Sequence, residues 1–474
     1  MASASIPHHR AAGQQKRWTW REILMILFIV IVFAMGGASR DDTLSLLFLR
    51  PFAGLVLGIG LVGLRWDQVR RHGWLFLLLG GLVLLHILHL IPLPPGIWTA
   101  LPGRETVVDA MAVVNTATGQ EAAWRPLSLV PFRTWNSLFA LLVPFAALVM
   151  LAQLDTPRMH RRLVITMIVL AAVSALLGLF QALGPANAGL YLYRITNRGL
   201  AVGLFANRNH NAAFVAVALP MIGYLLLKLR EGGQLGSGWI GQALLALGIA
   251  LVPFVLLTGS RAGLILVVIG IAAAMWIGGG KASFAQFGRQ RKLAAVLVAI
   301  FVALVAMAIM FPTGTVLRIL ELQQEKEFRL QAWPVIVDHI GRFMPFGSGL
   351  GTFVEAYRLG EPAELLQSKY LNHAHNDWLE LVMDAGLPGL LLILGAVIWF
   401  VAAAFRALRT SKGVQGRSLA RLGVAIVVML ALASVFDYPL RTPTLATVLV
   451  IAGVWVSSYR GALRHEGTSS FAAR

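Results

Sequence analysis

Apolar runs of about 20 residues recur along the chain, parted by short polar connections. Each has the length that crosses a hydrocarbon core of ~30 Å at ~1.5 Å per residue. The pattern predicts spans over roughly 22–38, 44–64, 74–92, 134–152, 161–183, 209–228, 239–257, 262–279, 292–312, 378–404, 419–436 and 441–458. The expected fold is an all-α polytopic membrane protein with about twelve transmembrane helices. A helical periplasmic insertion stands between the ninth and tenth. The expected division is a cytoplasmic tail over 1–21, helices one to nine over 22–312, the insertion over 313–376, helices ten to twelve over 377–460 and a cytoplasmic tail over 461–474.

Alternate connections set the orientation. With the N-terminus inside, the inner side collects Lys16, Arg17 and Arg21, then Arg65, Arg70 and Arg71, then Arg158, Arg161 and Arg162. Lys228 and Arg230 follow, then Lys281, Arg289, Arg291 and Lys292, then Arg406 to Arg421, and finally Arg460 and Arg464. Every inner connection is basic, as the positive-inside rule requires. The composition agrees, at 58% hydrophobic residues with a mean hydropathy of +0.74.

The formal charge of +19 resides mostly in these short inner loops facing anionic lipid, so nucleic acid is not an expected partner. No basic run is interleaved with stacking aromatics. Trp18, Trp20, Trp66, Trp74 and Trp98 lie near span ends and read as an interfacial belt. The chain has no cysteine, which excludes disulfides and thiolate metal ligands. The first span, with a basic start and small residues over 34–38, reads as an uncleaved anchor.

Two outer connections are long. The one over 93–133 is rich in proline and reads as irregular chain, a lid or a brace. The one over 313–376 alternates Leu317, Leu320, Phe328, Trp333 and Ile336 with charged residues and reads as an amphipathic helical subdomain. Glycines from Gly347 to Gly351 read as a tight turn within it.

Arg198, Arg208 and Arg261 all fall on outer connections, the side that the charge rule leaves poor in arginine. Asn207, Asn209 and Asn211 read as helix caps, and Asp377 as another. Glu380 and Asp384, four apart on one helical face, should look into the protein and orient Arg or His side chains. Asp437 and Arg441 share a short outer turn that allows an ion pair or a substrate contact. His86 and His89 read as interfacial.

The most specific segment is His373-Ala374-His375-Asn376-Asp377-Trp378-Leu379-Glu380, followed by Gly386-Leu387-Pro388-Gly389. A His-Asn pair, nine residues, Gly and a small residue three further on resemble the motif of the O-antigen ligase and polymerase superfamily, which also contains the pilin O-oligosaccharyltransferases. Arg198-Gly199 leading to Gly203-Leu204-Phe205-Ala206-Asn207-Arg208-Asn209, the Ser260-Arg261-Ala262-Gly263 turn, and Arg329 with Trp333 before the Pro345 to Phe353 segment agree in order. The resemblance extends from about Arg194 to Arg441, while the first 190 residues are similar only in hydropathy.

The resemblance implies transfer of a glycan from a polyprenyl (undecaprenyl) diphosphate carrier to an acceptor hydroxyl, on the periplasmic face of the bacterial inner membrane. It implies no cofactor, metal or nucleotide sugar. The acceptor is a lipid A-core sugar in a ligase, a second carrier-linked glycan in a polymerase, or a Ser or Thr hydroxyl in a pilin-modifying enzyme. A lipopolysaccharide-type ligase is expected, with polymerase as the alternative. His375 is the expected base, because a sugar hydroxyl is a poor nucleophile and general-base help amounts to ~10²- to 10⁴-fold. Arg261, Arg198 and Arg208 are the expected diphosphate ligands, since guanidinium stays charged in a partly dry site and binds phosphate bidentately. His373, Asn376, Arg329 and Glu380 are expected to support them. A twelve-span transporter of lipid-linked sugar is the rival reading.

Overall fold

The computed structural model describes residues 18–119, 121–187, 189–231, 239–278, 331–366, 370–409 and 417–457. The ninth expected span, the beginning of the insertion with Arg329, the basic stretch over 281–292, residues 1–17 of the first tail and the whole of the second lie outside the described residues.

The chain is mostly helical, and helices stand at every other expected span. The first are α1 (Trp20–Met35), α2 (Leu46–Val62), α3 (Trp66–Arg71) and α4 (Gly73–Leu90). After the first long connection come α7 (Pro131–Ala140), α8 (Leu142–Gln153), α9 (Pro157–Leu183), α10 (Arg208–Glu231), α11 (Trp239–Leu257) and α12 (Arg261–Gly278). Then come α13 over 331–343, α14 (Phe353–Arg358), α15 (Asp377–Arg409), α16 (Arg417–Phe436) and α17 (Pro443–Ser457). Among the described residues, eight apolar helical segments are long enough to cross a membrane, the α7–α8 pair counting as one, and α2 and α17 are shorter apolar helices.

Helix α10 is the axis of the bundle. Its apolar window is 83% buried, because helices α9, α11, α12 and α16 surround it. Small residues bring α12 close: a Cβ on Gly223 would sit 2.8 Å from Ala274 Cα, and one on Gly270 2.9 Å from the Ala216 carbonyl. Such backbone approach replaces the hydrophobic drive that lipid does not supply between helices. Phe33 and Phe205 pack on Phe214 with ring centroids 4.6 and 5.8 Å away.

The two ends of the bundle differ. At one end Thr19 and Glu22 form a capping box on α1, and Glu22 also meets Arg162 at 2.9 Å. There Asp155 accepts from His160 Nε2 at 2.7 Å and lies 3.4 Å from His72, while Trp455 Nε1 donates to His160 Nδ1. At the other end the Ala206 amide donates to the Gly37 carbonyl and the Thr444 amide to that of Gly36. The loops after α1, α9 and α16 therefore converge at this end.

The connection over 93–133 is more ordered than its prolines suggest. Strand β1 (Pro92–Leu93) pairs antiparallel with β2 (Arg125–Pro126), and between them lie α5 (Pro95–Trp98) and α6 (Glu105–Thr118). Proline fits here because its fixed φ suits a helix start at Pro95 and because the two-residue strands demand few donors. Arg104, 1% exposed, holds this cover down: its guanidinium donates to the Leu127 and Gly347 carbonyls and lies over the Trp98 and Phe343 rings. Burial pushes its pKa down to about 10. The described part of the insertion packs Ala332, Ile336, Phe343, Phe353 and Tyr357 into a small core of its own.

Candidate active site

The histidine segment owes its position to a broken helix. Asn376 Oδ1 accepts from the Trp378 and Leu379 amides and so caps α15, the role first expected of Asp377. Nine residues into α15 the helix breaks at Gly386 (φ 59°, ψ −143°). The glycine-rich chain over 345–351 fills the gap. Leu387 N donates to the Pro345 carbonyl, Ser348 N to that of Met383, and Gly349 N to that of Asp384, while Gly351 N reaches the Asp384 carboxylate at 3.0 Å. A Cβ on Gly386 would lie 2.2 Å from the Pro345 oxygen, and one on Gly347 2.4 Å from the Asp384 oxygen. Glycine is required on both sides of this contact. The segment expected to be a simple turn thus satisfies the backbone groups that the break exposes, a need imposed by the apolar surroundings.

The first turns of α15 carry three buried carboxylates. Glu380 accepts from His373 Nδ1 at 2.9 Å and from the Ala374 amide at 2.9 Å, and Arg441 Nη2 stands 3.4 Å from it. Asp377 accepts from Ser434 Oγ at 2.8 Å and faces Arg441 Nε at 3.4 Å. Burial alone would lower the pKa of Arg441, yet Glu380, Asp384 and Asp377 outweigh it and raise it above the ordinary arginine value. Arg441 is therefore a permanent cation, paired with α15 carboxylates and not with Asp437.

His375 has φ of 49°, a left-handed backbone that non-glycine residues rarely adopt and that costs of order 1–3 kcal/mol. The conformation turns its ring towards the turn after α16, where Nδ1 lies 3.1 Å from Asp437 Oδ1. Asp437 is itself fixed, accepting from the Tyr438 amide at 3.0 Å, Asn209 Nδ2 at 2.6 Å and Asn207 Nδ2 at 3.3 Å. With Nδ1 donating to the carboxylate, Nε2 is the basic nitrogen of the ring. The Tyr438 ring contacts His373, His375 and His210 at centroid distances of 4.4, 4.7 and 5.1 Å.

A cavity of about 320 Å³ opens beside His373. Its polar lining includes Arg40, Arg50, Arg133, Arg441, His373 and Glu380, and its apolar lining includes Leu46, Leu82, Leu141, Pro144, Leu381 and Pro443. His375 does not line it, but meets Tyr438, the same ring that His373 touches. Among the described residues no group of three or more His, Asp or Glu side chains is arranged to hold a metal ion.

The sequence-derived arginines stand apart from this cavity. Arg208 lies between the two asparagines that hold Asp437, and its guanidinium would be 3.7 Å from a Cβ on Gly259, next to the Ser260-Arg261 turn. Arg261 is exposed at the start of α12. Arg198 is exposed, donating to the Ala186 carbonyl at 3.4 Å over the Tyr191 ring. Asn376 serves as a cap. His86 and His89 are not interfacial: they are 2% and 3% exposed, His86 bonding to Ser137 Oγ and His89 Nδ1 accepting from the Leu350 amide.

Arg40, Arg50 and Arg133 were not singled out in the sequence. Arg50 lies inside the apolar run over 44–64, where a cation costs of order 2.5–3.5 kcal/mol at a helix centre, and that was the available signal. Arg40 and Arg133 flank connections on the side expected to be outer, so the rule that marked Arg198 applies equally to them.

Residues 245–394 match the family model described as O-antigen ligase. No curated protein matches the chain. The matched segment runs from within α11 past both histidines and the break at Gly386. Over this segment, which is less than half of the chain, the sequence is similar to the O-antigen ligase family.

Proposed function

We propose that this protein is a periplasm-facing glycosyltransferase of the ligase type, moving a glycan from a polyprenyl diphosphate to a hydroxyl of lipid A-core. The observation that carries the reading is the His375–Asp437 pair at the family's motif position, beside the asparagines that flank Arg208.

In this mechanism the acceptor oxygen attacks the anomeric carbon as its proton passes to His375 Nε2. The bond from that carbon to the diphosphate breaks, and the electron pair leaves with the carrier-bound diphosphate. Asp437 offsets the imidazolium charge and holds the ring's orientation. Arg208 and Arg261 offset the charge growing on the leaving group, with Arg198 further out on the same loop system. A single displacement inverts the anomeric configuration. The chemistry asks no metal or cofactor of these residues.

His373 offers a second reading, because it lines the cavity and has its own carboxylate partner in Glu380. A substrate hydroxyl bound there would meet His373 first. The polymerase alternative uses the same chemistry with a carrier-linked acceptor.

The test is reconstitution in proteoliposomes with a polyprenyl diphosphate oligosaccharide and, in separate arms, lipid A-core and the carrier-linked glycan itself. The ligase reading expects a covalent glycan–lipid A-core product and freed carrier diphosphate. Chain extension on the carrier means polymerase. Sugar crossing the bilayer without any covalent product would establish the transporter instead.

A further inference from the structure

The cavity's four arginines are not equivalent. Arg40 is paired with Asp42, Arg133 with Asp41 and Glu355, and Arg441 with Asp377 and Glu380. Arg50 makes no direct ion pair among the described residues; the Asp41 carboxylate, which also lines the cavity, acts on it only at longer range and is itself paired with Arg133. The one hydrogen bond of Arg50 there runs from Nη1 to the neutral Asn136 Oδ1 at 2.5 Å, and its buried Nε has no partner. It sits in the second turn of an apolar helix, so its charge is kept where desolvation works against it. Around it the cavity is polar on the side of His373 and Glu380 and apolar on the side of Leu46, Leu82, Leu141 and Pro144.

The geometry points to a second substrate subsite in this cavity, one that selects a lipid-linked sugar bearing an anionic substituent, a carboxylate or a phosphate. Arg50, among the described residues the one cavity arginine without a direct carboxylate partner, supplies the charge for that substituent. Glu380, Asp377 and His373 supply acceptors for sugar hydroxyls, and the apolar wall takes the aliphatic portion. Arg208 and Arg261 lie at another place, so two anionic groups are held separately, one for each reaction partner. The subsite rests on reading the cavity as a substrate site of the proposed transferase, but its test is binding and needs no turnover.

The experiment titrates octyl β-glucuronide, octyl β-glucoside and octyl phosphate onto the full chain in lipid nanodiscs, followed by saturation-transfer NMR with empty nanodiscs subtracted. The glucuronide is expected to bind about tenfold or more tightly than the glucoside, and more tightly than octyl phosphate. In Arg50→Gln the preference for the glucuronide disappears while the glucoside is retained, which also reports a folded cavity. Asn136→Asp keeps Arg50 but gives it a carboxylate partner, and it should abolish the preference equally. Equal binding of the two glycosides by the wild type, or a preference that survives both substitutions, overturns the subsite. Octyl phosphate binding as tightly as the glucuronide overturns the sugar assignment and leaves a lipid-headgroup site. Glucuronide selectivity in a protein that forms no glycan product overturns the transferase reading alone.

Discussion

His375 Nδ1 lies 3.1 Å from Asp437 Oδ1, although the two residues are 62 positions apart and belong to different connections at one end of the bundle. The carboxylate is held on its other oxygen by Asn207 and Asn209, so the imidazole inherits its orientation from the loop before α10. In Asp437→Asn the charge that offsets an imidazolium is lost while shape is kept. Transfer should fall ~10²-fold or more in kcat with little change in KM, as expected for a group acting mainly in the transition state. An unchanged kcat would remove Asp437 from the mechanism.

The break in α15 is a backbone fit. In Gly386→Ala a methyl group meets the Pro345 carbonyl and the residue must hold φ of 59°, so a loss of ~1–3 kcal/mol follows. The thermal midpoint in detergent should drop, and transfer should drop with it because Glu380 and Asp377 are displaced. A midpoint and turnover equal to wild type would mean that the 345–351 segment can move aside.

Asp155, between α8 and α9 at the opposite end, is buried, which raises a carboxyl's pKa. Its hydrogen bonds with His160 and His72 outweigh that effect and lower it. A depressed carboxylate stabilises the fold above the ordinary Asp pKa, and the contribution is lost as pH falls through the lower folded value. The midpoint of the wild type should therefore decline as pH drops from about 5 towards 3. Asp155→Asn should start lower, by ~1–3 kcal/mol, and show a flatter profile over that window. Parallel profiles for the two proteins would contradict the linkage.

The sequence contains no cysteine, so single cysteines report sidedness without background. On intact spheroplasts a membrane-impermeant maleimide should label Val113→Cys, on the exposed face of α6, and leave Asp67→Cys unlabelled until lysis. The reverse pattern would place the histidines on the cytoplasmic side.

Hydropathy made the helices legible because lipid imposes a simple length rule, and helices stand at each expected span that the structure describes. The His375 and Gly386 positions were legible through the family motif, and the carboxylates of α15 through helical spacing. What spacing did not convey was pairing across connections. Asp437 lies four residues from Arg441 yet takes His375, because Glu380 and Asp377 reach Arg441 first. The cavity was missed for the same reason. Three of its four arginines, all but Arg441, come from α2, α7 and the loop after α1, where no motif guides the eye and only burial of a charge betrays a purpose.

The central claim is that His375 takes the acceptor's proton. Single-turnover release of carrier diphosphate from a polyprenyl diphosphate oligosaccharide, in proteoliposomes saturated with acceptor, tests it by comparing wild type, His375→Ala and His373→Ala. The account predicts a fall of ~10²- to 10⁴-fold for His375→Ala with donor binding retained, and a smaller loss for His373→Ala. Turnover by His375→Ala at the wild-type rate, with His373→Ala inactive, would contradict it and transfer the role to the histidine that lines the cavity.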